Sequence, residues 1–257
     1  MQFVKYKVAE RRADLILCRP EKKNALHPDM VTELLECLHS AKEDASVKVI
    51  VLSSEGSVFS AGADLSYLKS LQSNTYEENL KDSQYLKSLF QHIYEFPKPI
   101  IAQVEGHAIA GGAGLMSVCD FIFCTPETKI GYSEVRIGFV PAIVSYFLIR
   151  KIGEARATAM LLSGSLFDVK KCLEFGLINK VVESSHIVSE VDDFAKKLIK
   201  ANSAESMKLT KQLIKEVQSM GVDAALNKAA EFNAKARETQ DCKNGIDAFL
   251  EKKKIEW

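Results

Sequence analysis

An α/β chain with a mostly parallel sheet and a helical tail is what this sequence predicts, on three observations. Short apolar stretches rich in β-branched residues alternate with amphipathic helical patterns over the first part of the chain. Two of those stretches run through small-residue turns directly into helices, as strand–helix crossovers do. From about Ser145 onward only helical spacing remains.

The elements follow in order. FVKYKVA alternates apolar and polar residues with period two, and LILC follows a polar turn, so a hairpin is expected. Pro28 stands where a helix can begin, because its missing N–H would be unpaired there, and Val31, Leu34, Leu35, Leu38 and Ala41 then recur at helical spacing. VKVIVLSS reads as a buried parallel strand. The glycine-punctuated loop FSAGADL leads into helix-like SYLKSL, and a longer polar helix runs from about Tyr76 to Tyr94. PKPIIAQVEG is the next strand, GGAGLMSV the next helix, and DFIFCTPETKIGYSE two more short strands. Beyond Ser145, helical spacing recurs over Ala155–Leu162, Val169–Phe175, Ser189–Ile199, Met207–Val217, Ala224–Ala236 and Ile246–Leu250. No repeat, low-complexity tract or Gly/Ser linker separates independent domains.

Composition narrows the function classes. The 34 basic residues equal the 34 acidic ones, so no net field draws the chain to nucleic acid or to an anionic membrane. No apolar run is long enough to span a bilayer, and MQFVKYKVAERR has neither signal-peptide nor transit-peptide character. The six cysteines form no CxxC pair and have no histidine at ligand spacing, so they read as free thiols of a cytoplasmic protein without a bound metal.

Two stretches carry chemistry, and they share one design: IVLSSEGSVFSAGADL and IIAQVEGHAIAGGAGL. Each is an apolar strand, then small residues, then a helix whose first N–H groups have no partner. On adjacent strands, two such turns aim two backbone N–H groups at one oxygen, an oxyanion hole. The alternative is that the glycines only permit tight helix–strand packing. Other motifs fail: a dinucleotide fingerprint on Gly112 and Gly114 has Ser117 where its third glycine belongs, and no GxxxxGK[ST], HExxH or GxSxG occurs. His107, beside the second turn, reads as structural.

FSAGADL, followed about fifty residues later by KPIIAQVEGHAIAGGAGLMSVCDFIFCT and then by KIGYSEVRIGFVP, resembles the crotonase superfamily of enoyl-CoA hydratases and isomerases. RPEKKNAL, GEARATAMLLSG and FGLINKVV resemble it too, so the likeness spans nearly the whole chain. It implies a crotonase (ClpP-like) spiral of ββα repeats at 1–195, a helical trimerisation region at 196–257, and homotrimers that can pair into hexamers. It places the oxyanion N–H groups on Ala61 and Gly111, and the catalytic carboxylate on Glu134 of GYSE, acting as acid and base on the acyl carbons. Coenzyme A, part of the substrate rather than a cofactor, would contact Lys22, Lys23 and Ala25, with Ala61, Gly62, Ala63 and Asp64 walling its adenine side. The family also uses a C-terminal lysine, for which the 252–254 run offers candidates.

One departure bears on the reaction. Two-glutamate hydratases place a second glutamate three residues after the oxyanion glycine; here that position is Gly114. A catalytic water then needs another anchor, Tyr132 or substrate atoms. Ala142, after Pro141, replaces a glycine usual in hydratases. The run YSEVRIGFVPAIVSYFLIRKIGE is most similar to methylglutaconyl-CoA hydratases of leucine breakdown. The resemblance implies hydration of a 2-enoyl-CoA, a branched one included. Double-bond isomerisation, decarboxylation and a non-catalytic binding protein of the same fold stay open.

Overall fold

The computed structural model describes residues 1–255 and 257. Strands β1 (Val4–Ala9) and β2 (Arg12–Leu17) form the expected antiparallel hairpin, closed by Glu10 and Arg11 at φ 48° and 65°. Positive φ at both loop residues gives the turn the twist of the flanking strands. Helix α1 (Pro28–Glu43) begins with Pro28 in its first turn, and the His27 side chain accepts the Asp29 N–H. Its buried face is the predicted stripe, from Val31 through Leu34 and Leu38 to Ala41.

Three consecutive units then repeat one plan. Strand β3 (Val49–Ser54) is followed by β4 (Val58–Ser60) and helices α2 (Leu65–Ser70) and α3 (Tyr76–Glu95). Strand β5 (Ile100–Val104) is followed by β6 (His107–Ile109) and α4 (Gly111–Ser117). Strand β7 (Phe121–Cys124) is followed by β8 (Lys129–Gly131), a 3-10 turn at Glu134–Ile137, and α5 (Ala142–Ile152). In each unit the first strand enters one sheet and the second strand another, which makes the chain a spiral of ββα repeats.

Helix α6 (Glu154–Ser163), strand β9 (Leu166–Asp168), helix α7 (Val169–Glu174), strand β10 (Lys180–Val181) and helix α8 (Ile187–Ala201) follow. Helices α9 (Ala204–Val217), α10 (Val222–Glu238) and α11 (Gln240–Leu250) end the fold. The larger sheet has the order β1-β2-β3-β5-β7-β10 and is parallel from β2 onward; the smaller has the order β4-β6-β8-β9, with only β9 antiparallel.

The continuous apolar run of β3 is explained by two cores. Ile50 and Leu52 face the main core under α1, α3, α4 and α5, whereas Val49 and Val51 face a second cluster with Ile101, Phe123 and the α8 residues Ile187, Val191 and Ala195. A strand buried on both faces must be apolar at every position. Among the described residues no helix is long and apolar enough to cross a membrane. All six cysteines are free.

Two expectations change. The chain beyond Ser145 is not purely helical, because β9 and β10 add edges to the two sheets. Likewise β4 and β6 lie where only loop was expected. Strands of two or three residues are too short to show a period, and pairing with a neighbour creates them. The division expected at 195/196 falls inside α8, whose apolar face covers the larger sheet; the chain leaves that helix only at Asn202.

Ile101 tests the second core. It is fully buried between the sheet and α8. Ile101→Ala should lower unfolding free energy by about 2–5 kcal/mol with the denaturant slope unchanged, read from urea titration.

Candidate active site

The parallel pairing of β4 with β6 sets the two small-residue turns side by side. Gly62, at φ +86°, fits because it has no side chain: a Cβ there would stand 2.8 Å from the Ala110 Cβ and 3.0 Å from the Gly111 nitrogen. A Cβ on Gly111 would stand 3.9 Å from the Ala63 nitrogen. The backbone of 62–63 therefore lies against that of 110–111.

Which N–H groups are available is decided by a second strand-like segment. Residues Lys23 to Leu26 run beside the first turn, with Ala61 N–H donating to Lys23 O at 3.0 Å, Leu26 N–H to Gly62 O at 2.7 Å and Asp64 N–H to Leu26 O at 3.1 Å. Leu26 and Ala63 form a parallel bridge. In such a bridge the N–H of the residue between the two bonded neighbours points to the other side, so Ala63 N–H faces away from Leu26. Among the described residues neither Ala63 N–H nor Gly111 N–H has an acceptor. This corrects one assignment. Ala61 N–H is engaged by Lys23, and the pair of unengaged donors is Ala63 with Gly111.

Strain accompanies the second donor. Ala110, immediately before it, has φ 52° and ψ −126°, a backbone conformation that a residue with a Cβ rarely adopts. Its N–H bond to Gly131 O at 2.7 Å, from β8, holds it there. Such outliers persist where the surroundings over-determine them, and this one starts α4 with Gly111 N–H unpaired.

The first turn is braced by residues that sequence reading passed over. Asn24 is fully buried; its side-chain oxygen accepts Arg19 N–H, and its amide donates to Glu55 O and Val58 O, all at 2.8 Å. Arg19 donates to the Asp64 carboxylate at 2.8 Å. Asp64 also accepts Ser66 N–H and Tyr67 N–H at the start of α2. Burial alone would raise the Asp64 carboxyl; Arg19 and those N–H groups hold it below its ordinary value. A polar side chain this committed walls the cavity without being free to bind.

A cavity of about 630 Å³ opens over these turns. Lys22, Lys23, Ala25, Ala61, Ala63, Asp64, Gly111 and Glu134 all border it. Of its lining, Lys22 and Lys23 are exposed, whereas the apolar residues Leu86 and Phe90 of α3 and Ile143 and Val144 of α5 are buried or half-buried. Glu134 is 9% exposed, and its Oε2 is buried without a hydrogen-bond partner. Burial raises its carboxyl above the ordinary 4.5, only partly offset by its own backbone N–H. A larger cavity, about 760 Å³, lies between α5, α8 and α9, but none of the expected site residues borders it, and among the described residues its one carboxylate, Asp120, is paired with Lys211.

Tyr132 and Gly114 sit elsewhere. Tyr132 is fully buried in the main core, its phenol pushed up by burial, and does not border the cavity; it is no anchor for water there. Gly114 lies one helical turn into α4 and is covered by Val144. The His107 ring accepts Lys129 N–H at 3.2 Å, the structural role read from sequence.

The model of the enoyl-CoA hydratase/isomerase family matches residues 12–257. A Thermus thermophilus relative, provisionally named an enoyl-CoA hydratase, is 40% identical over 241 residues, covering 94% of this chain and 95% of its own. The crotonyl-CoA hydratase of Syntrophomonas wolfei is 30% identical, covering 95% and 94%. The crystal structure of an enoyl-CoA hydratase from Shewanella pealeana superposes with a TM-score of 0.94 at 28% identity, over 99% of this chain and 96% of that one.

The raised Glu134 carboxyl has a stability signature. Between the ordinary carboxylate value of 4.5 and the raised one, the folded chain binds more protons than the unfolded chain, so stability falls as pH rises through that window. Glu134→Gln removes this penalty. Its melting temperature should match wild type near about pH 4 and exceed it increasingly toward about pH 8. A gap that does not change with pH would mean the carboxyl is well solvated.

Proposed function

The chain belongs to the enoyl-CoA hydratase/isomerase family, and from that premise we propose that it adds water to a 2-enoyl-CoA thioester. One juxtaposition carries the reading: the paired donors of Ala63 and Gly111 share a cavity with the desolvated Glu134 carboxyl. A thioester oxygen accepting both N–H groups is stabilised as it takes on charge. Glu134, as carboxylate, accepts a proton from water while the water oxygen bonds to C3 and the C2=C3 electron pair moves into the enolate. The resulting carboxylic acid returns the proton to C2, the enolate collapses to a 3-hydroxyacyl thioester, and Glu134 is restored. A carboxyl with a raised pKa serves both halves of that exchange.

The lining of the cavity suits such a substrate. Exposed Lys22 and Lys23 offer charge to the phosphates of coenzyme A, Ala25 and the 61–64 turn flank its adenine side, and the apolar lining takes the acyl group, branched or linear. We take the chain to work in the cytoplasm, consistent with six free thiols, and as a trimer or a pair of trimers. Exposed Val222 and Leu226 on α10 and Ile246, Phe249 and Leu250 on α11 support a subunit interface there.

A second reading uses the same groups. With no carboxylate at Gly114, Glu134 alone can take a proton from C2 of a 3-enoyl thioester and return it to C4, moving the double bond. Incubating the protein with 2-enoyl- and 3-enoyl-CoAs and scoring water addition against bond migration separates the two.

Glu134→Gln keeps the shape and removes the proton acceptor, so turnover should fall about a hundredfold or more while thioester binding persists. Turnover within about threefold of wild type would remove Glu134 from the chemistry. Ala63→Pro deletes one oxyanion donor and should cost about 10²–10³ in turnover, with circular dichroism confirming the fold.

A further inference from the structure

The floor of the cavity is an interlock between two helices. Gly114 of α4 has no room for a side chain: a Cβ there would stand 2.1 Å from Val144 Cγ1 and 3.0 Å from Phe90 Cε1. Real Cβ atoms do not approach that closely, so the Val144 methyl occupies the place of a residue-114 side chain. Val144 is 5% exposed and borders the cavity, as does the fully buried Phe90. Phe90 in turn stacks on Phe147, with ring centroids 6.4 Å apart, so a second buried ring backs this part of the wall.

On the acyl-CoA reading the exposed lysines take the coenzyme and the Ala63–Gly111 donors the thioester oxygen, which leaves the buried apolar lining of Val144 and Phe90 for the acyl carbons. We propose that Val144 sets the length of acyl group this site accepts, by filling the space left open by Gly114. The proposal rests on the acyl-CoA reading above. Because neither position 114 nor a shortened 144 would then fill the floor, trimming Val144 opens a single pit that extends the acyl channel. Val144→Leu has the opposite sign and shortens it.

Saturated thioesters test this without turnover, since they cannot take up water. Calorimetric affinities of wild type, Val144→Ala and Val144→Leu for butyryl-, hexanoyl- and octanoyl-CoA would be compared. The octanoyl-to-butyryl affinity ratio should rise about tenfold in Val144→Ala and fall in Val144→Leu, the scale of a methylene or two in an apolar pocket. A residue that merely packs the core would weaken all three ligands alike, and a ratio within about threefold of wild type in either folded variant overturns the proposal. A wild-type protein that binds none of the three sinks the acyl-CoA reading itself, and this proposal with it. The interlock has its own readout in melting temperature: Gly114→Glu should melt well below wild type and regain stability when combined with Val144→Gly. A Gly114→Glu protein that melts like wild type would show that Val144 does not fill that space.

Discussion

Parallel pairing of two three-residue strands, β4 and β6, presses Gly62 against Ala110 and Gly111, and the geometry of the site follows from that contact. Neither strand is stable by itself; each is held because its partner and the larger sheet fix both ends of the preceding connection. The close approach excludes a side chain at Gly62 and sets this residue beside the strained backbone of Ala110, and among the described residues Ala63 N–H and Gly111 N–H, which border one cavity, have no acceptor. A donor pair fixed in advance needs no reorganisation when charge develops on an oxygen between its two N–H groups, which is what gives an oxyanion hole its value.

The same contact needs bracing from the opposite side. The 19–26 segment supplies it through Asn24, whose side-chain amide donates to Glu55 O just after β3 and to Val58 O at the start of β4, and through Arg19, which fixes Asp64. These buried polar groups are satisfied by backbone or by an opposite charge, so they hold position without leaving orphaned donors. Arg19 and Asn24 do not border the cavity, yet they hold the segment that decides which N–H of the turn is engaged.

Against that rigid donor pair stands the apolar lining of the cavity. Phe90, Val144 and Ile143 line the same cavity as Glu134, whose carboxyl is raised by desolvation. A second carboxylate on α4 would meet Val144 before reaching the cavity. Packing of α5 on α4 thus accounts for the absence of a side chain at position 114 and for the shape of the apolar lining together.

The sequence by itself determined the order and type of the long elements, because hydrophobic periodicity reports burial locally: α1, α3, β3, β5 and α8 to α10 all lie where spacing placed them. It also marked both small-residue turns, since each is contiguous in the chain, whereas Glu134 was singled out only by the resemblance of GYSE to a family motif. What it left open depended on residues distant along the chain. The short strands β4, β6, β9 and β10 exist only through pairing, and Ala63 replaces Ala61 as the unengaged donor only because Lys23 sits beside the turn. Tyr132 points into the core and not the cavity, and Gly114 is capped by Val144 from thirty residues further on. Tertiary packing decided these because a backbone N–H direction and the space around a glycine belong to neighbours that no local pattern names.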